Sequence, residues 1–242
     1  MTTKPTVCVL WFPGTNCHQE MKRAFEMAGA NVQIVLLQEI INGRRTLTDC
    51  DIIGFPGGFS FGDHFGSGRV AAFDLVSRFA DQLRAAREKH VLMLGVCNGF
   101  QILVAAGLLP GDGEIGTPTA LLDANLSARF EHWSETKVVL RDPGNSLWTR
   151  GLDGREVIMP VAHAEGRLVG PTPERWRVMA TYGTPEGTAD YPASPNGSPI
   201  AGICDASGEV CGLMPHPERR INALHGGDGG LAIFEAGVNA VR

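Results

Sequence analysis

A chain of 242 residues, 43% hydrophobic and 19% charged, can bury a large core and is too apolar to be a disordered or fibrous protein. Its net charge of −5 argues against a general nucleic-acid or anionic-membrane surface, which needs a concentrated excess of Lys and Arg. No apolar run approaches the roughly 20 residues that cross a bilayer, so the expectation is one globular domain over residues 1–242, with no nucleic acid and no membrane among its partners.

Thr6 to Phe12 is a short β-rich apolar run that ends at Pro13-Gly14. The residues before it, Met1-Thr2-Thr3-Lys4-Pro5, carry neither an apolar leader core nor a small-residue cleavage site, and the expected location is cytoplasmic. Asn16 is placed to cap a helix, with Gln19 three positions on, and Met21, Ala24, Phe25 and Ala28 recur at helical spacing until Gly29 stops the pattern. Asn31 to Leu37 and Asp51 to Phe55 read as two more strands. Val70 to Arg87 reads as a helix with Val70, Phe73, Leu75, Val76, Phe79 and Leu83 inward. Val91 to Val96 is the most continuous buried-strand signal, and an apolar helix follows it as far as Gly107.

Strands alternating with helices predict an α/β fold: a mostly parallel central sheet with right-handed crossovers and helices on both faces. Ligands then gather beyond the carboxyl ends of the strands. After Gly107 the texture changes to short β-like segments at Lys137 to Leu140, Glu156 to Ala162, Arg177 to Tyr182, Ile200 to Cys204 and Val210 to Met214. These predict antiparallel strands added to the same domain. Leu231 to Val241 predicts a closing helix, and Gly183 to Pro199 a long surface loop.

The six cysteines (Cys8, Cys17, Cys50, Cys97, Cys204, Cys211) are scattered, with no C-x-x-C pair and no clustered His pair, so neither a disulfide framework nor a structural zinc site is expected. Cys97 stands apart. Gly95-Val96-Cys97-Asn98-Gly99 joins the most buried strand to an apolar helix, the pattern of a nucleophile elbow with sulfur in place of oxygen. A thiol at a helix N-terminus sits in positive potential, which favours the nucleophilic thiolate. The alternative on this segment alone is a buried structural cysteine beside a packing glycine.

A thiolate attacking a carbonyl needs a base that later becomes the acid for the leaving group. Among seven histidines, His216 is the candidate, in Met214-Pro215-His216-Pro217-Glu218 after an apolar strand. Pro217 biases His216 towards extended backbone, where residues i and i+2 point the same way, so Glu218 can flank the imidazole and fix its tautomer. Read alone, His-Pro-Glu is also an ordinary loop tripeptide. Gly54-Phe55-Pro56-Gly57-Gly58-Phe59-Ser60-Phe61-Gly62-Asp63 adds a glycine-rich loop at a strand end. It matches no nucleotide-phosphate motif, and the amides near Gly58 and of Asn98 are the candidate oxyanion donors.

The glycine-rich loop, the cysteine elbow and the late His-Pro-Glu, in this order, resemble the class I glutamine amidotransferases. Phe12-Pro13-Gly14-Thr15-Asn16-Cys17, Gly57 to Asp63, Ala128-Arg129-Phe130-Glu131, Ala162-His163-Ala164-Glu165-Gly166-Arg167 and Pro195-Asn196-Gly197-Ser198 extend the resemblance to the glutaminase subunits of phosphoribosylformylglycinamidine synthases. It implies a Rossmann-like fold, with Cys97 as nucleophile, His216 as base and acid, and Glu218 as its orienting partner. It also implies that Gln101 helps hold substrate glutamine, and that backbone at Arg129 and Phe130 receives its α-amino and carboxylate groups. The implied partner is a synthetase subunit, with a small bridging subunit where the family uses one. ATP and Mg2+ are expected on that synthetase; no cofactor and no metal are expected on this chain.

Ala164, the Phe65-Gly66-Ser67-Gly68-Arg69 continuation and the Gly226 to Gly230 run depart from the family pattern. Two other functions stay open: ammonia supply to a different synthetase, and a catalytically silent subunit that binds glutamine for regulation. His163 with Glu165 repeats the i, i+2 logic and is a rival base, although the resemblance places it near the mouth and partner surface. Cys17 beside His18 is a weaker thiol and base pair, because adjacent residues rarely face each other. Arg44-Arg45 and Arg219-Arg220 read as solvated basic pairs, and His225 as a surface residue.

Overall fold

The computed structural model of the chain describes residues 3–184, 187–189 and 194–242. The first half runs β1 (Thr6–Trp11), α1 (His18–Met27), β2 (Asn31–Leu36), α2 (Leu37–Ile41), β3 (Ile52–Phe55), α3 (Arg69–Glu88), β4 (Leu92–Val96) and α4 (Asn98–Ala105). The second half adds β5 (Leu121–Ala124), β6 (Glu131–Leu140), β7 (Glu156–His163), β8 (Glu165–Val169), β9 (Arg177–Thr184), β10 (Gly187–Thr188), β11 (Ile200–Cys204), β12 (Val210–Leu213) and α5 (Leu231–Ala240).

One sheet carries the order β2-β1-β3-β4-β12-β11-β9-β6-β7, with β10 paired to β9. From β2 to β12 the neighbours are parallel, and from β12 to β7 they are antiparallel. The predicted mostly parallel sheet with added antiparallel strands is therefore what forms. Every residue of β3 and β4 is buried, without alternation, because helices cover both faces there. The outer strand β7 instead alternates buried with exposed or half-buried positions, and the edge strand β2 buries only Val32 and Val35.

The chain moves one way from β1 to β2 and the opposite way from β3 to β4, so right-handed crossovers place α1 and α3 on opposite faces. On the α1 side, Phe25 meets Phe234 of α5 edge to face with ring centroids 4.9 Å apart. On the other side α4 lies so close to β4 that a Cβ at Gly95 would stand 2.7 Å from the Gly99 carbonyl.

The structure corrects several boundaries. Helix α1 is capped at Cys17, not Asn16, because the preceding turn is stitched to the loop after β3: Cys17 N donates to Gly57 O at 3.1 Å and Phe59 N to Gly14 O at 3.1 Å. Phe73 is exposed rather than inward. The buried face of α3 is Ala71, Ala72, Leu75, Phe79, Leu83 and Ala86, and Phe73 lines an open apolar groove with Val76, Val104 and Leu121. Part of the expected surface loop is interior: Ser194 and Asn196 are fully buried, and Asn196 Nδ2 donates to Gly166 O at 2.8 Å. Residues 185–186 and 190–193 of that loop lie outside the described residues. The antiparallel pair β5 and β8 has no counterpart in the periodicity of the sequence.

Among the described residues no helix is long and apolar enough to cross a membrane. All six cysteines are buried and free.

Candidate active site

Because the strand order reverses direction between β1 and β3, a crevice opens at their carboxyl ends, where open α/β sheets bind ligands. Phe12 to Cys17, Phe55 to Gly58 and, from the adjacent β4, Cys97 all leave the sheet at this end.

Cys97 occupies the turn between β4 and α4 with φ 51° and ψ −110°, a sparsely populated conformation for a residue with a Cβ. The turn is held from both sides: Cys97 N donates to Leu213 O at 2.8 Å, and Gln101 N donates to Cys97 O at 3.1 Å. Gly99 is obligatory, since a Cβ there would fall 1.8 Å from Phe55 O. The Cys97 Sγ lies 3.5 Å from Ala162 O at the end of β7. The first N–H groups of α4 have no partner within the helix and carry the positive end of its dipole.

His216 follows β12, its N–H donating to Pro160 O at 2.9 Å. Its Nδ1 is 2.7 Å from Glu218 Oε1, and both residues are buried. The two meet because His216, with φ −100° and ψ 89°, leads into a 3-10 turn over Pro217–Arg219, not because the chain stays extended to Glu218. Burial alone lowers the His216 pKa, but the Glu218 carboxylate and the Cys97 thiol outweigh it and hold the imidazole well above its ordinary range.

Gly57 marks the point of convergence. A methyl group there would stand 2.9 Å from His216 Cε1, 3.3 Å from Cys17 Sγ and 3.4 Å from Cys97 Cβ. Elements far apart in sequence thus bring Cys97, His216 and Glu218 together. Gly58 is equally constrained, with φ 145° and room for no Cβ, which would sit 2.7 Å from Asn16 N.

The Asn98 side chain is a strut. Its Oδ1 accepts from Ser60 N at 3.1 Å, and its Nδ2 donates to Asp63 Oδ1 at 3.1 Å and to Gln101 Oε1 at 3.0 Å. Gln101 Nε2 donates to Glu165 O, so both ends of that amide are engaged within the protein. Arg129 and Phe130 lie in a turn anchored by Asn125, whose Nδ2 donates to Arg129 O at 2.9 Å and to His163 O at 2.7 Å. Half-exposed Phe130 pairs with Phe59, centroids 6.3 Å apart, joining this turn to the glycine-rich loop.

His163 is not at the mouth. It is buried, with Nδ1 2.9 Å from Asn125 Oδ1, while Glu165 is turned away and accepts from Ser67 N at 3.0 Å. Burial, reinforced by His216 and opposed by Glu131, lowers its pKa to about 4. Arg219 and Arg220 are not a solvated pair either: Arg219 Nη2 lies 3.2 Å from Cys17 Sγ and 3.5 Å from Glu20 Oε1, and buried Arg220 donates to Ser134 O at 2.9 Å. His225 is exposed, as read from the sequence.

Cys17 is the residue that sequence reasoning misplaced. Its sulfur, a ring nitrogen of His216 and a carboxylate oxygen of Glu218 all lie within 4.8 Å of one another. Its neighbour His18 instead meets Trp11 edge-on at 6.3 Å. The usable signal was position: Cys17 closes the turn that follows β1, at the point where the strand order reverses.

Residues 4–227 match the sequence model of the CobB/CobQ-like glutamine amidotransferase domain. The chain is 38% identical over 225 residues to the phosphoribosylformylglycinamidine synthase subunit PurQ of Dehalococcoides mccartyi, covering 90% of this chain and 86% of that one. It is 37% identical over 238 residues to the PurQ subunit of Pyrococcus furiosus, covering 97% of each. A chain of the PurLQS structure from Thermotoga maritima superposes with a TM-score of 0.80 at 32% identity, covering 99% of this chain and 100% of that chain.

Proposed function

The chain belongs to the CobB/CobQ-like glutamine amidotransferase family and, within it, to the PurQ proteins, and from that membership we propose that it is the glutaminase subunit of a phosphoribosylformylglycinamidine synthase. It hydrolyses glutamine to glutamate and ammonia and supplies the ammonia to an ATP-dependent synthetase. That partner converts formylglycinamide ribonucleotide to formylglycinamidine ribonucleotide in purine biosynthesis. The observation that carries the chemistry is the meeting of Cys97 and His216 around the bare Gly57, with Glu218 2.7 Å behind the ring.

The Cys97 thiol gives its proton to His216, and the resulting thiolate attacks the carboxamide carbon of glutamine: a sulfur electron pair forms the C–S bond while the carbonyl π pair moves onto oxygen. Amides at Gly58 and Asn98 receive that oxyanion. Collapse of the intermediate re-forms the carbonyl and breaks the C–N bond, and the His216 imidazolium protonates the departing nitrogen, giving a thioester and ammonia. His216, now neutral, takes a proton from water as the water attacks the thioester; glutamate leaves and the thiol is restored. Glu218 fixes the ring and stabilises its protonated form. Backbone at Arg129 and Phe130 receives the α-amino and α-carboxylate groups of glutamine, and Gln101 assists once its internal hydrogen bonds yield to the substrate.

The chain works as one domain, a reading supported by the single sheet that takes strands from both halves. ATP and Mg2+ belong to the synthetase, and the enzyme works in the cytoplasm, where purines are assembled. The test is glutamine-dependent formylglycinamidine formation with and without the candidate synthetase. Product only when both subunits are present supports the assignment; a synthetase whose glutamine-dependent rate does not change when this chain is added contradicts it.

A further inference from the structure

We propose that Cys17, His216 and Glu218 form a binding site for a thiophilic divalent cation, Zn2+ above all, which switches the glutaminase off. The three donor atoms already lie within 4.8 Å of one another, and all three residues are buried. Tetrahedral zinc, with bonds of about 2.0 to 2.3 Å, holds such donors roughly 3.3 to 3.6 Å apart. No pair has to close by more than about 1.5 Å, within the reach of small side-chain rotations.

A second, independent feature is the other oxygen of Glu218. Oε1 faces the imidazole, while Oε2 is buried and makes no hydrogen bond among the described residues. A buried carboxylate oxygen with no donor is costly unless something supplies positive charge. A dication does so, and one thiolate with one carboxylate neutralise it where both side chains are buried. Arg219, which now donates to the Cys17 sulfur, is half-exposed and has Glu20 as an alternative partner at 3.5 Å, so it can leave when the ion arrives.

The donor set discriminates between metals. Sulfur and imidazole suit Zn2+, whereas Mg2+ demands oxygen ligands in octahedral array. A synthetase working in Mg2+ would therefore not trip the site. The consequence rests on the glutaminase reading above: a metal on the imidazole of His216 holds the lone pair that the thioester step needs, and turnover stops until the ion is removed.

The test uses the full chain. Zn2+ is titrated into the metal-free enzyme with its synthetase, and activity should fall, return with a chelator and ignore added Mg2+. Cys17→Ala should require at least about tenfold more Zn2+ for the same loss. Independently of turnover, Co2+ is titrated into Cys97→Ala, where a thiolate-to-cobalt charge-transfer band should appear and should vanish on adding His216→Ala. Equal zinc sensitivity of wild type and Cys17→Ala, or no such band in Cys97→Ala, overturns the proposal. Should Cys17→Ala fail to fold, the cobalt titration decides alone. A metal-free enzyme without glutaminase activity would refute the functional reading instead, while the cobalt titration still decides the metal site.

Discussion

Gly57→Ala places one methyl group where the imidazole, two sulfur-bearing side chains and the glycine-rich loop converge. The added carbon would meet His216 Cε1 at 2.9 Å, where ordinary contacts begin at 3.4 Å, so the ring must retreat by about 0.5 Å or more. Cys17 Sγ at 3.3 Å and Cys97 Cβ at 3.4 Å crowd the same carbon, and His216 is buried. Overpacking of this kind costs about 1–3 kcal/mol of stability, a survivable part of a typical 5–15 kcal/mol. Displacing a catalytic group by up to 1 Å costs as much as about 100-fold in rate. The expectation is a folded protein whose kcat falls about 10- to 100-fold, with a much smaller change in KM for glutamine, since the methyl group points at the reacting pair. Glutamate release with the synthetase present, together with denaturant unfolding, measures both quantities. Full activity at unchanged stability would mean that His216 and Cys97 do not converge on Gly57, and the reasoning fails.

Glu218→Gln keeps the shape of the partner but removes the charge that holds the His216 pKa up, so kcat should drop by about 100- to 10,000-fold with little change in KM; an unaltered kcat counts against the triad. Gly99→Ala should yield no soluble folded protein, because its Cβ would lie 1.8 Å from Phe55 O in a fully buried strand; a normal unfolding midpoint refutes the packing. For His163, the unfolded pKa is 6.5 and the folded one about 4. The unfolded chain therefore binds a proton that the native state resists, and stability present above pH 6.5 is lost as pH falls towards 4. Between pH 7 and pH 4.5 the loss is about 2–3 kcal/mol. His216, whose pKa is raised, has its stabilisation fully in place below pH 6.5 and loses it only as pH rises, so it does not contribute to the acid loss. His163→Asn should remove most of that loss from the difference in denaturant-measured stability between the two pH values; an unchanged difference sinks the assignment.

How far the sequence could be read depended on where each signal came from. The fully buried β3 and β4 and the glycines of the elbow are local: continuous apolar runs mean strands covered on both faces, and Gly95 and Gly99 mean backbones in contact. His216 and Glu218 were legible because Pro217 restricts the chain between them, although the turn that joins them differs from the extended path expected. What stayed hidden is tertiary. Phe73 has helical periodicity but lines a groove rather than the core. Arg220 looks like a surface cation until the carbonyls of Ser134 and His225 are seen to receive it. Cys17 stands beside His18 in the sequence, whereas its partners come from the far end of the chain. Asn196 is held by a carbonyl of β8, a strand that the sequence pattern itself does not reveal.

The central claim is that the Cys97 sulfur becomes covalently attached to the carbonyl carbon of glutamine. The most direct measurement is mass spectrometry of the Cys97 peptide after acid quenching during turnover with glutamine and the synthetase. A γ-glutamyl adduct on Cys97 in the wild type, lost together with glutamate release in Cys97→Ala, is the expected result; glutamate release at the wild-type rate by Cys97→Ala would contradict it.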